Sequence, residues 1–89
     1  MQEVYYLVQL EIETEPGEWK PVVRYDTQHG GPHRDQYKIS GEKDKEKFLN
    51  VTFDILTGYQ DAVRSAEQDI ERNWRFYCQR FLEGKWPVK

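Results

Sequence analysis

The 89 residues make one small domain, 1–89. Three Trp, six Tyr and four Phe within a 37% hydrophobic composition give it material for one modest core. Thirteen basic against sixteen acidic side chains leave a net charge of −3, which excludes a general polyanion binder. A lone cysteine, Cys78, excludes an internal disulfide and a cysteine-rich zinc site; the apolar run at residues 4–8, preceded by Glu3, is too short for a signal segment or a membrane span, so a cytoplasmic protein with no membrane partner is expected.

Residues 4–13 alternate. Val4, Tyr6, Val8, Leu10 and Ile12 share one face and Tyr5, Leu7, Gln9, Glu11 and Glu13 the other, the period of a half-buried strand. Pro16 and Gly17 predict a reversal, and residues 19–26 the return strand, with Pro21 at a sheet edge or a bulge because it has no N–H to donate. Gln28-His29-Gly30-Gly31-Pro32-His33 breaks the strand pattern and predicts a loop, followed by a third strand over 35–39 that places Tyr37 and Ile39 toward the core. Residues 41–47 alternate in sign without an apolar residue and predict a solvated turn, and residues 48–53 a short fourth strand.

From Tyr59 the apolar spacing changes to three and four, which predicts one long helix over about 58–83. Thr57 with Gln60 matches a capping box, and Gly84 followed by Pro87 a stop. Trp74, Tyr77 and Phe81 lie on the apolar stripe, with Cys78 beside it as a small buried hydrophobe and Phe76 off it. The expected fold class is α+β: an antiparallel sheet of three or four strands packed against one long C-terminal helix. Such a helix is longer than a small sheet needs, so a homodimer is the expected working form. The aromatic end of the helix, interleaved with Arg72, Arg75 and Arg80, suits a core, a subunit interface or base stacking.

Both histidines, two acids and two arginines fall within Arg24-Tyr25-Asp26-Thr27-Gln28-His29-Gly30-Gly31-Pro32-His33-Arg34-Asp35. Arg24 and Asp26 share a strand face, and so do His33 and Asp35 if the third strand begins early, so two strand ends can converge on one polar site. Three chemistries fit these residues. His29 and His33 can act as an acid–base pair for RNA cleavage, with Arg24 or Arg34 stabilising phosphoryl charge and Asp26 or Asp35 fixing the histidine tautomers. His29, His33 and Asp26 or Asp35 can instead hold a divalent metal through nitrogen and oxygen ligands. The third reading is a polar turn in which Asp26 bonds to its own backbone and Arg24 pairs across the sheet.

Val22-Val23-Arg24-Tyr25-Asp26, His29-Gly30, His33-Arg34-Asp35, Asp69-Ile70 and Asn73-Trp74 resemble the pattern of a family of small archaeal and bacterial proteins that read Val-Val-Arg-Tyr-Asp-x-x-His-Gly-x-x-His-x-Asp and end in a helix containing Asp-Ile-x-x-Asn-Trp. The resemblance spans most of the chain and implies no particular activity. A weaker similarity is to TumE-like toxins of toxin–antitoxin pairs, which place Arg-Tyr-Asp shortly before clustered histidines; here Asp35 stands where a further histidine is expected. Two functions are therefore expected alternatives. One is a binding or interaction module with a polar His/Asp/Arg loop. The other is a toxin-type ribonuclease using His29 and His33, with RNA as substrate and an antitoxin as partner.

Overall fold

In the computed structural model, which describes residues 7–27, 33–47 and 55–89, four antiparallel strands lie side by side in sequence order and one helix follows. β1 (Leu7–Glu15) and β2 (Glu18–Asp26) form a hairpin closed by Pro16 and Gly17. Proline presets φ at the first corner, and Gly17 takes a φ of 79° at the second, a conformation that strains any residue with a Cβ. The register passes from Leu10 opposite Val23 to Glu11 opposite Pro21, so Val22 is the extra residue of a bulge. Pro21 sits beside that bulge and beyond the reach of β3, which pairs only with residues 23–26; both are places where a missing N–H is tolerated.

β3 (His33–Tyr37) begins two residues earlier than the alternation around Tyr37 and Ile39 implies. β4 (Lys43–Lys47) replaces the solvated turn expected at 41–47. The turn itself is shorter: the Lys38 N–H donates to the Glu42 carbonyl and the Gly41 N–H to the Lys38 carbonyl, each at 2.9 Å, with Gly41 at a φ of 94°. The alternating charges are the period of a strand, Lys43 and Lys45 on one side and Asp44 on the other. β4 is the last strand in the sheet order, and charged residues there discourage pairing with another chain. The strand expected at 48–53 lies outside the described residues.

The helix, α1 (Ile55–Leu82), starts before Thr57, which is therefore inside it and not its cap. Its end follows the sequence: Gly84 takes a φ of 77°, its N–H donates to the Phe81 carbonyl at 3.0 Å, and the Lys85 N–H donates to the Arg80 carbonyl at 2.9 Å. This pair of bonds satisfies carbonyls that a helix end otherwise leaves without partners. Ala66, Tyr77, Cys78 and Phe81 pack with Val22, Val23 and Tyr25 to form the core, and Val8, Leu10, Ile12, Tyr37, Ile39 and Ile70 border it. Complete burial of a side chain the size of Phe81 contributes about 1.5–3 kcal/mol. Trp74 departs from the core expected for it: it is 45% exposed at the margin of the stripe, where the Arg75 guanidinium covers its ring at 5.1 Å. No helix among the described residues is long and apolar enough to cross a membrane.

Candidate functional site

Strand alternation sorts the polar residues of β3 into two groups. His33, Asp35 and Tyr37 point one way, Arg34 and Gln36 the other. Asp26 is opposite His33 across the β2–β3 ladder, Arg24 opposite Asp35, and on the far side Lys45 is opposite Asp35 and Lys43 opposite Tyr37. Side chains directly opposite in an antiparallel pair share a face, so Arg24, Asp26, His33, Asp35, Lys43 and Lys45 belong to one surface.

At its centre His33 Nε2 lies 2.9 Å from Asp26 Oδ1 and 3.6 Å from Asp35 Oδ2. All three residues are buried, none more than 6% exposed, and one ligand atom from each falls within 4.8 Å of the others. Lys43, over half exposed, brings Nζ to 3.9 Å from Asp35 Oδ2. The other carboxylate oxygen of Asp35, Oδ1, is buried and has no hydrogen-bond partner among the described residues. Arg24 is held away from the carboxylates: its Nε donates to Gln9 Oε1 and its guanidinium lies 5.9 Å from the centre of the Tyr37 ring.

The imidazole has two useful states here. Protonated, Nε2–H donates to Asp26 and the cation faces both carboxylates. Neutral with the proton on Nδ1, Nε2 presents a lone pair between two anionic oxygens. The arrangement can therefore hold a cation, or orient an imidazole for proton transfer.

Arg34 is on the opposite surface, against the helix. Its guanidinium lies 4.9 Å from the Tyr77 ring and 5.9 Å from the Tyr25 ring, and its terminal nitrogens donate to the carbonyls of Val88 and Lys89 at 3.4 and 3.3 Å. The Tyr77 hydroxyl donates to Asp69 Oδ1 at 2.6 Å, and Asn73 Nδ2 donates to the same oxygen at 2.8 Å. Residues 69, 73 and 77 are successive rungs of one helix face. Burial above all, and then the bond to Asp69, pushes the Tyr77 phenol well above its ordinary pKa. Gln36 accepts from the Val88 N–H at 2.9 Å and donates to Asp44 at 3.5 Å, fixing the tail on this surface.

Of the residues that sequence reasoning grouped together, the structure brings Asp26, His33 and Asp35 into contact, sets Arg24 at their border and sends Arg34 to the other face. His29 lies outside the described residues. Sequence reasoning missed Lys43 and Lys45, whose every-other-residue spacing was the available signal once the segment is seen as a strand. It also missed the Arg34–Tyr77–Asp69 contact, for which the spacing of Asp69, Asn73 and Tyr77 was the only local sign.

A family model described as a domain of unknown function (DUF7718) matches residues 1–86. No curated protein and no solved structure matches the chain.

Proposed function

Because the chain belongs to the DUF7718 family, whose description carries no activity, we propose a function from the polar surface itself. The protein is a binding module whose ligand engages the Asp26–His33–Asp35 centre, with the exposed Lys43 and Lys45 of the edge strand beside it. The observation that carries this reading is the convergence of three buried ionisable side chains from two strands, with one carboxylate oxygen left without a hydrogen bond among the described residues. Burying charge costs several kcal/mol per ion unless partners compensate, roughly. A second carboxylate buried beside the Asp26–His33 pair adds to that cost.

The test is an NMR titration that follows the His33 imidazole and the Lys43 and Lys45 signals while divalent cations and, separately, inorganic phosphate are added. Saturable shifts at these residues support a binding module. Shifts confined to the aromatic end of α1, or none with either probe, overturn it.

A second reading is favoured by one contact. The 2.9 Å separation of Asp26 from His33 Nε2 supports a carboxylate that could orient an imidazole for ribonuclease chemistry. His33→Gln that keeps the fold and abolishes RNA cleavage by the purified protein would support it, and an inactive parent would remove it.

A further inference from the structure

We infer that Asp26, His33 and Asp35 bind one divalent transition-metal ion, through His33 Nε2 and one oxygen of each carboxylate. The inference rests on the binding reading above and names its ligand.

Three observations lead to it. The first is spacing. With metal–nitrogen and metal–oxygen bonds of about 2.0–2.2 Å, neighbouring ligand atoms of a tetrahedral or octahedral shell stand about 2.8–3.6 Å apart. The two separations from His33 Nε2, 2.9 Å to Asp26 and 3.6 Å to Asp35, fall within that interval. The three ligand atoms all lie within 4.8 Å of one another.

The second is the condition of Asp35. It is 3% exposed, yet Oδ1 has no hydrogen bond among the described residues. Buried carboxylate oxygens are ordinarily satisfied, and a carboxylate with one oxygen lacking a hydrogen bond and the other, Oδ2, 3.6 Å from an imidazole marks a place for a cation. Lys43 meets this need poorly, since its ammonium stops 3.9 Å from the other oxygen and its side chain is 55% exposed. It is a competitor that an ion of higher charge displaces.

The third is the donor set. One imidazole nitrogen with two carboxylate oxygens suits zinc, manganese or iron(II) and gives soft copper(I) no sulfur ligand. The protein's sole thiol, Cys78, is buried in the core on the helix. Three protein ligands leave at least one coordination position for water or for an anionic group of a second ligand, and Lys43 and Lys45 stand on the same surface to receive that group.

Isothermal titration of chelator-stripped full-length protein with zinc chloride, with cobalt(II) as a spectroscopic probe, tests the inference. One equivalent of zinc should bind, and cobalt(II) should give visible absorption bands and shift the NMR signals of residues 24–26 and 33–35 more than those around Trp86. His33→Gln should weaken binding at least about a hundredfold. Asp26→Asn and Asp35→Asn should each weaken it about tenfold or more, a loss no smaller than that seen when partners of metal ligands are removed. Lys43→Gln should tighten binding, which a merely structural role for the cluster would not produce, and Cys78→Ser should leave it unchanged. Circular dichroism confirms that each variant folds; if His33→Gln does not, the cobalt(II)-induced shifts of the parent decide the question. Binding of less than one equivalent, binding unchanged in a folded His33→Gln, or cobalt(II) shifts centred elsewhere would overturn the metal assignment. With the metal assignment overturned, phosphate-induced shifts at Lys43 and Lys45 would leave the binding reading standing; absence of those as well would remove both.

Discussion

The two surfaces of β3 use similar residues to opposite ends. Toward the helix, Arg34 and Gln36 are enclosed by rings, a ladder of helix side chains and the carbonyls and amide of the tail. Toward the other side, His33 and Asp35 are equally buried, with His33 Nε2 2.9 Å from Asp26 and 3.6 Å from Asp35 and the exposed Lys43 3.9 Å from Asp35, and Asp35 Oδ1 is without a hydrogen bond among the described residues. Each of the two adjacent residues has one buried atom without a hydrogen bond among the described residues, Arg34 Nε and Asp35 Oδ1, so the difference lies in what surrounds them. The guanidinium is held by two rings and two carbonyls, whereas the Asp35 carboxylate shares its place with a second carboxylate and an imidazole.

The comparison predicts that substitutions on the helix side damage stability and those on the other side damage binding. The largest effect falls on Tyr77, which is fully buried and carries both the Arg34 contact and the bond to Asp69. Tyr77→Ala should cost about 3–5 kcal/mol in denaturant unfolding. A loss below 1 kcal/mol would mean that the helix surface is not the stabilising one.

Gly84→Ala comes next. A Cβ there meets nothing within 4 Å, so the cost is conformational, about 1–2 kcal/mol for a residue held in the left-handed region. Because the same turn directs the tail onto Arg34 and Gln36, the NMR signals of those two residues should shift with it, while those of His33 and Asp35 remain in place. Movement of both sets would show the two surfaces to be coupled.

Tyr77→Phe isolates the hydroxyl and should cost about 1 kcal/mol, since Asp69 keeps Asn73 as a donor. The same hydroxyl gives an alkaline signature. An unfolded tyrosine titrates near pH 10, roughly, and Tyr77 titrates above that in the folded protein. The folded state holds this proton more tightly. Its contribution is thus fully present below about pH 10 and is lost as pH rises from there toward the folded value. In an absorbance titration at least one of the six tyrosines should stay un-ionised until the protein unfolds, and Tyr77→Phe should remove that late titration.

Much of the fold was legible because it depends on local pattern. The alternation through Leu10 and Ile12, the Pro16–Gly17 reversal and the Gly84 stop each read directly, since a turn or a cap is decided by a few neighbouring residues. The fourth strand was not legible: Lys43, Asp44 and Lys45 carry no apolar residue, and only pairing with β3 makes the segment a strand. Asp26, His33 and Asp35 were legible as a group because period two and the early start of β3 place them on one face. Arg34 was misplaced for the same reason, since one step along a strand reverses the surface and nothing nearby in sequence reveals that Tyr77 waits on the other side. Trp74 fits the helical period yet lies at its margin, where a small sheet no longer covers it.

Asp35→Asn tests the central claim most directly. It keeps the shape of the side chain while removing one buried charge, so the unfolding free energy of the metal-free variant, measured in urea beside the parent, separates a site kept for a ligand from a cluster that holds the fold. The account predicts a variant as stable as the parent or more stable by up to about 1 kcal/mol, because a charge left short of partners is removed. A loss of about 3 kcal/mol or more, the cost of breaking a buried ion pair that the fold depends on, would contradict it.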